Sequence, residues 1–161
     1  MFLIFIAGTG AGLAASASLS RRVASLEQLE RFITYFETQI RYSAAPIRDI
    51  IIHAAGGEYS CLSFLPEAAA RMKRGQSPGE AWGGAVRDRG EDCGFTAADR
   101  EMLREFGNGL GSTDVSGQLS HCKTFRGLLE DRLQKARSEA RTKGRLYVTL
   151  GIAGGLGAAL L

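Results

Sequence analysis

The sequence predicts an all-α protein, a bundle of about six helices flanked by transmembrane helices at its N and C termini. All 20 Lys and Arg residues and all 17 Asp and Glu residues lie between Arg21 and Arg145, so both ends are uncharged. Within the charged middle, apolar residues recur at spacings of three and four, and no strand-like alternation occurs. We therefore divide the chain into an anchor at 1–20, a cytoplasmic helical domain at 21–145 and a second transmembrane segment at 146–161.

The N-terminal segment is apolar or small throughout residues 1–20 and then meets Arg21 and Arg22. A helix of that length spans about 30 Å, the thickness of the hydrocarbon core of a bilayer. A secreted protein with a cleaved signal peptide is the alternative, because Ala15-Ser16-Ala17 resembles a cleavage site. However, signal peptides carry their positive charge before the apolar core, whereas here it follows. Since basic residues stay on the cytoplasmic side, we expect an uncleaved anchor and a cytoplasmic domain.

The C-terminal segment, 146–161, is shorter and follows a basic stretch. About 24 Å of helix is short for a full crossing, so local thinning of the bilayer or a shallow insertion is expected. The stretch from 132 to 145 contains several basic residues and one acidic residue, Glu139. We expect contact with anionic lipid head groups rather than nucleic acid, because no aromatic residues interleave the basic ones. The predicted membrane-flanking basic residues are Arg21, Arg22, Arg141, Lys143 and Arg145.

Two long helices are predicted in the charged middle. The first covers 23–43, and the last starts around Asp114 and can run without interruption into the C-terminal segment. Helices with apolar stripes pair side by side, so we expect these two to pack together and bring both apolar ends together. The stripes are Leu26, Leu29, Ile33, Phe36 and Ile40 in the first helix, and Leu119, Cys122, Phe125 or Arg126, Leu129, Leu133, Ala136 and Ala140 in the last.

Four shorter helices are predicted between the long ones from start and stop signals in the sequence. Prolines, capping residues and glycines mark them: Pro46 to Gly56, Glu67 to Arg74 after Pro66, Ser77 to Gly90 with Glu80 as the capping partner of Ser77, and Thr96 to Gly107 with Asp99 as the partner of Thr96. Aromatic residues are expected to supply much of the core: Phe64, Trp82, Phe95 and Phe106.

The sequence predicts no catalytic, cofactor-binding or metal site. The cysteines Cys61, Cys93 and Cys122 are an odd number without a short repeat spacing, so we interpret them as reduced packing residues. Neither histidine lies at a ligand-like spacing from a cysteine pair. These observations argue against a zinc site and against a secreted disulfide scaffold.

Glycines near the N terminus allow an alternative hypothesis, a nucleotide-binding membrane enzyme. Gly8, Gly10 and Gly12 follow an apolar stretch as in a dinucleotide fold, but Leu13 occupies the next position that the fingerprint requires. The spacing of Gly8 and Gly12, repeated at 151 and 155, also suits close helix contact in lipid, although glycine is common in membrane spans.

Several motifs resemble those of the stage III sporulation protein AB family of endospore-forming bacteria, and the resemblance covers nearly the whole chain. The most specific motif combines Phe106, Gly107, Leu110, Gly111, Asp114 and Gln118 within the stretch from Leu103 to Gln118. Others are Tyr42 to Pro46, Ala81-Trp82, and Lys143 to Tyr147 continuing into Leu150 to Leu156. The chain departs from the family at 43–45, where Ser-Ala-Ala stands instead of the more usual Gly-Leu-Thr.

The resemblance implies a non-catalytic platform in the channel complex between mother cell and forespore, similar to the platform protein of type II secretion and type IV pilus machines. It implies a place on the mother-cell side of the outer forespore membrane. Partners would be membrane lipid, other membrane proteins of the channel complex and a cytoplasmic secretion-type ATPase. Self-association into a homo-oligomer is compatible with this role. The motif at Phe106–Gln118 would serve either domain packing or a partner contact. A membrane-anchored adaptor unrelated to secretion is the alternative.

Overall fold

The computed structural model describes the backbone of residues 2–43 and 45–159, and the side chains of 14–43, 45–144, 146 and 149. The regular secondary structure in that part of the chain is all α-helical, which confirms the predicted all-α class. The helices are α1 (Phe2–Tyr42), α2 (Ile47–Ala55), α3 (Phe64–Lys73), α4 (Pro78–Arg89), α5 (Ala97–Gly109) and α6 (Val115–Ala159).

The two predicted transmembrane segments, 1–20 and 146–161, belong to α1 and α6 over their described backbone. Most of their side chains, including those around the glycines at 8, 12, 151 and 155, lie outside the described residues. Within the described residues, none of the helices combines the length and the apolar character that a bilayer crossing requires.

The long helices α1 and α6 pack along each other and form the most extensive contact between any two elements, as predicted. Two ion pairs show the antiparallel register of these helices: Glu27 meets Arg137 at 2.8 Å, and Glu37 meets Arg126 at 2.8 Å. Near the other end of the pair, a Cβ added to Gly144 would lie 3.7 Å from Ser16 Oγ. The two helices are therefore still adjacent at Ser16 and Gly144.

The short helices pack in chain order, α2 on α3, α3 on α4, α4 on α5 and α5 on α6. The predicted stripe of α1 from Leu26 to Ile40 is buried, and so is the stripe of α6 from Cys122 to Ala136. Phe32 is also fully buried although it lies off the α1 stripe. Its ring stacks on Trp82 of α4 at 5.7 Å and meets the Tyr59 ring edge to face at 5.5 Å. The other predicted aromatic residues of the core, Phe64, Phe95 and Phe106, are buried as well.

Most predicted helix ends are confirmed. Ser77 and Glu80 form a reciprocal capping box on α4, and Thr96 and Asp99 form another on α5. The start of the third helix was predicted too late: α3 begins at Phe64. Proline is tolerated within the first turn of a helix, where its missing N–H has no intrahelical partner to lose, so Pro66 does not mark the first residue.

The alternative hypothesis of a dinucleotide site is wrong in its geometry. That fold needs a strand before the glycines, but the backbone from Phe2 onward is part of α1. The three cysteines are free, as predicted; Cys93 and Cys122 are buried, and Cys61 is partly exposed.

Candidate functional site

The motif between Phe106 and Gln118 lies where α5 ends and α6 begins, against the side chain of Trp82. Trp82 is fully buried, and its indole Nε1 donates a hydrogen bond to the Leu103 carbonyl oxygen at 2.8 Å. Gly107 lies against the same ring, so that an added Cβ would be 2.6 Å from Trp82 Cδ1. The Phe106 ring meets the indole edge to face at 5.5 Å. Gly107 therefore allows α5 to approach α4 as closely as the aromatic packing requires.

His121 joins the end of α5 to α6. Its imidazole ring is stacked on the Phe106 ring with centroids 5.0 Å apart and planes within 3°. Its Nε2 lies 2.8 Å from the Phe106 carbonyl oxygen, and since a carbonyl only accepts, Nε2 carries the proton. A Cβ on Gly109 would overlap this imidazole ring. The second glycine of the motif thus makes room for a ring of α6.

Gln118 fixes the connection between the two helices. It is only 3% exposed, and its amide Nε2 donates to the Gly109 carbonyl oxygen at 2.8 Å and to Thr113 Oγ1 at 2.9 Å. Its Oε1 accepts from the Gly111 N–H at 3.3 Å. Gly111 has φ +76°, the left-handed region that suits glycine. One buried amide therefore satisfies three polar groups of this turn.

The motif is thus brought together by packing and local hydrogen bonding. Phe106, Gly107, Leu110 and Gln118 are buried. Gly111 and Asp114 are exposed, but Gly111 supplies the turn conformation and Asp114 Oδ1 accepts a hydrogen bond from the Gly117 N–H at 2.9 Å at the start of α6. Packing accounts for the four buried residues of the motif, and the local structure of the turn accounts for Gly111 and Asp114.

The surface around the motif carries two exposed apolar side chains. Tyr42, at the end of α1, is 79% exposed, and Val115, at the start of α6, is 54% exposed. The antiparallel register places the end of α1 beside the first turns of α6. Measured along the helix axis, Tyr42 and Val115 are about 10 Å apart. We call this region, Tyr42 and Val115 with the exposed turn 111–114, the distal tip, because it lies at the opposite end of the α1–α6 pair from the uncharged segments.

At the other end, Arg22 does not occupy the position expected of a membrane-flanking residue. It is 6% exposed and makes a two-point ion pair with Asp99, through Nε at 2.7 Å and Nη2 at 3.1 Å. Its Nη1 bonds Glu139 Oε2 at 3.1 Å. Arg22 lies four residues before Leu26 and so extends the buried stripe of α1. That spacing was the signal that could have identified it as a buried residue.

Asp99 is the centre of this arrangement, which we call the proximal ion-pair cluster: Arg22, Asp99 and Glu139. Burial alone would raise the pKa of Asp99, but hydrogen bonds from Arg22 and Thr96 outweigh it and hold the pKa below its ordinary value. The hydrogen bond to Asp99 likewise raises the pKa of Arg22. The cluster therefore ties α1, α5 and α6 together, and its Arg22–Asp99 pair stays ionised near neutral pH.

The remaining flanking residues differ from Arg22. Arg21, Arg141 and Lys143 are exposed, whereas the side chain of Arg145 lies outside the described residues. Arg21 packs its stem against Gly94, since a Cβ there would lie 3.5 Å from Arg21 Cγ. Three of the five predicted residues thus have side chains that are accessible at this end.

The described residues hold no group of three or more His, Cys, Asp or Glu side chains that could bind a metal ion. The buried Cys122 thiol has its pKa raised to about 12 by burial, which keeps it protonated and unreactive. The described part of the chain thus offers three features: the packed motif between Phe106 and Gln118, the exposed distal tip and the proximal ion-pair cluster.

Residues 1–161, the whole chain, match the family model described as stage III sporulation protein AB. No curated protein matches the chain significantly, and neither does any solved structure.

Proposed function

Because this chain belongs to the stage III sporulation protein AB family, which gives it a sporulation-related role, we propose that it is a non-catalytic platform in the membrane. In this proposal it works in the channel complex between mother cell and forespore. It resembles the platform protein of type II secretion machines in having a helical domain held at a membrane. Partner proteins assemble on that domain.

The observation that carries the proposal is the antiparallel pairing of α1 and α6. The uncharged segments, 1–20 and 146–161, lie at opposite ends of the sequence. Because α1 and α6 are antiparallel, both segments extend from the same side of the helical domain. Gly144 beside Ser16 supports the continued proximity of the two helices at that side. Two adjacent apolar helices would hold the domain at one membrane surface, with the basic flanks on the cytoplasmic side.

The distal tip is the surface that we propose for a cytoplasmic secretion-type ATPase. It lies about 45 Å along α6 from the start of the C-terminal uncharged segment, so a large cytoplasmic partner can reach it. The exposed apolar residues Tyr42 and Val115 are of the kind that protein interfaces bury. The packed motif behind them keeps the turn in one conformation, and therefore limits the ordering entropy lost on binding.

Flotation of the full-length chain with lipid vesicles tests the membrane part of the proposal. We expect the protein to rise with the vesicles and to stay with them after alkaline washing, because apolar helices hold it there. Recovery in the aqueous fraction, as a monomer without detergent, would contradict membrane attachment.

Site-specific photocrosslinking in sporulating cells tests the partner part. A photoreactive residue at Tyr42 or Val115 should yield crosslinks to an ATPase, whereas one at Leu128, which is 49% exposed and about 20 Å along α6 from Val115, should not. Leu128 is the matched control because it is also an exposed apolar residue. Equal crosslinking from all three positions, or none to an ATPase from the tip, would count against the assignment.

A further inference from the structure

Two adjoining surface grooves lie on α6 close to the end of the charged region. The first has a volume of about 360 Å³ and is lined by one face of α6: Gln134, Arg137, Ser138, Arg141 and Thr142. The second, of about 320 Å³, lies between α1 and α6: Ser20, Val23, Ala24, Glu27, Arg137, Ala140 and Arg141. Arg137 and Arg141 form the border shared by both grooves.

The two grooves differ in chemistry. The first offers hydroxyl, amide and guanidinium groups, because residues spaced by three and four share a face of a helix. The second includes the apolar side chains of Val23, Ala24 and Ala140. The first groove therefore offers hydrogen-bond donors to an anionic group, and the second offers a less polar surface beside it.

Of the two arginines that border the grooves, Arg141 carries the positive charge left unpaired among the described residues. Arg137 donates to Glu27 Oε1 from Nη2 at 2.8 Å and from Nε at 3.3 Å, so its charge is partly neutralised. Glu139, the acidic residue of the basic stretch, is engaged by the buried Arg22. Arg141 is exposed and has no ion pair within the described part of the chain. A guanidinium can bind a phosphate with two parallel N–H donors.

The position of Arg141 matches the depth of a lipid phosphate. It precedes the uncharged segment at 146 by about 7 Å of helix. We propose that the two grooves bind one anionic phospholipid, with its phosphate on Arg141, Ser138 and Thr142, its head-group substituent toward Val23 and Ala24, and its acyl chains directed along the uncharged segments. This inference rests on the membrane attachment proposed above and adds to it a defined head-group site.

Native mass spectrometry of the full-length chain in detergent tests the site, with phosphatidylglycerol and phosphatidylcholine as probes. We expect preferential retention of phosphatidylglycerol. Arg141→Gln should weaken it about fivefold, since a basic residue near a lipid surface contributes about 1 kcal/mol. Lys135→Gln is the matched control: it removes the same charge from an exposed position of α6 outside both grooves, and should leave retention unchanged.

Equal retention of the two lipids, or equal losses in the two variants, would overturn the site and indicate surface charge alone. Displacement of phosphatidylglycerol by millimolar inorganic phosphate would also overturn it, because the site would then bind soluble phosphate. Vesicle flotation of the same variants separates this proposal from the platform proposal. If the wild-type chain fails to float, both fail; if it floats but Arg141→Gln matches the control, only the head-group site fails.

Discussion

The two ends of the α1–α6 pair are held together by different physical interactions. At the distal end, aromatic rings stack and neutral groups hydrogen-bond: Trp82 to the Leu103 carbonyl, His121 to the Phe106 carbonyl and Gln118 to the turn. At the proximal end, small residues approach each other beside a buried ion pair between Arg22 and Asp99. Apolar burial dominates the first region, and charge pairing dominates the second.

This difference indicates that the two regions contribute differently to folding. Burial of large aromatic side chains supplies stability almost in proportion to the apolar area removed from water. A buried ion pair adds little net stability because desolvation opposes the attraction, but a misaligned helix would leave the charges unpaired at a large penalty. We infer that the distal end supplies most of the stability, whereas the proximal ion-pair cluster selects the register of α1 on α6.

The largest expected effect is that of removing Trp82. Trp82→Ala should lower the free energy of unfolding by about 3–5 kcal/mol, because it opens a cavity among buried rings and removes the indole hydrogen bond to the Leu103 carbonyl. Urea denaturation of the detergent-solubilised chain, followed by far-UV circular dichroism, measures it. Tyr42→Ala, at an exposed aromatic residue, should change it by less than about 0.5 kcal/mol. Similar losses in both variants would contradict the assignment of the core.

Breaking the proximal ion-pair cluster should have the next largest effect. Arg22→Gln should lower the free energy of unfolding by about 3 kcal/mol, because Asp99 then remains buried without its cation. The neighbouring Arg21→Gln, at an exposed arginine, should change it by less than about 0.5 kcal/mol. The double variant Arg22→Met with Asp99→Asn should be less destabilised than the sum of its single variants, as the same urea titration would reveal. Strict additivity would argue that the two residues do not interact.

The response to acid distinguishes the two ends more finely. The folded-state pKa of Asp99 is lowered, so its stabilising contribution is present above about pH 4 and is lost as the pH falls through the folded-state value. The free energy of unfolding, measured from pH 6 to pH 3, should therefore fall more in the wild type than in Arg22→Gln. The variant lacks the arginine that lowers the pKa of Asp99. Parallel profiles would show that Asp99 is not the group responsible.

The smallest effects are expected from a pair of glycine substitutions of opposite sign. Gly111→Ala should destabilise by about 1 kcal/mol because φ +76° is unfavourable for alanine. Gly127→Ala, at an exposed helical position with nothing within 4 Å of the added Cβ, should stabilise by about 0.5–1 kcal/mol. Thermal unfolding of the two variants gives the signs. A stabilising Gly111→Ala would indicate that the turn relaxes out of the left-handed conformation.

The sequence was sufficient for most of the fold. The 3-4 stripes of α1 and α6 and the two capping boxes are local patterns whose physical causes act within one or two turns, so they could be recognised without partners. The burial of Phe32 could not, because it depends on ring contacts with Tyr59 and Trp82, which are distant in sequence. The start of α3 was missed because Pro66 is compatible with several positions in a first turn.

The candidate site was less accessible to sequence reasoning. The motif residues were identified together, but the reason for Gly107 and Gly109 is a close approach to Trp82 and His121 that only the packed structure reveals. Arg21 and Arg22 are chemically identical neighbours, and their different environments arise from the direction in which each side chain leaves α1. The partner of Arg22 lies 77 residues away, beyond the reach of any local pattern.

The uninterrupted course of α6 has a mechanical consequence. All three prolines of the chain, at 46, 66 and 78, lie in the segment between the two long helices, and α6 continues for 45 residues without one. Such a helix is about 67 Å long and does not bend sharply where its backbone ladder is unbroken. A force applied at the start of α6 would therefore be transmitted along an unbroken helix toward its uncharged end.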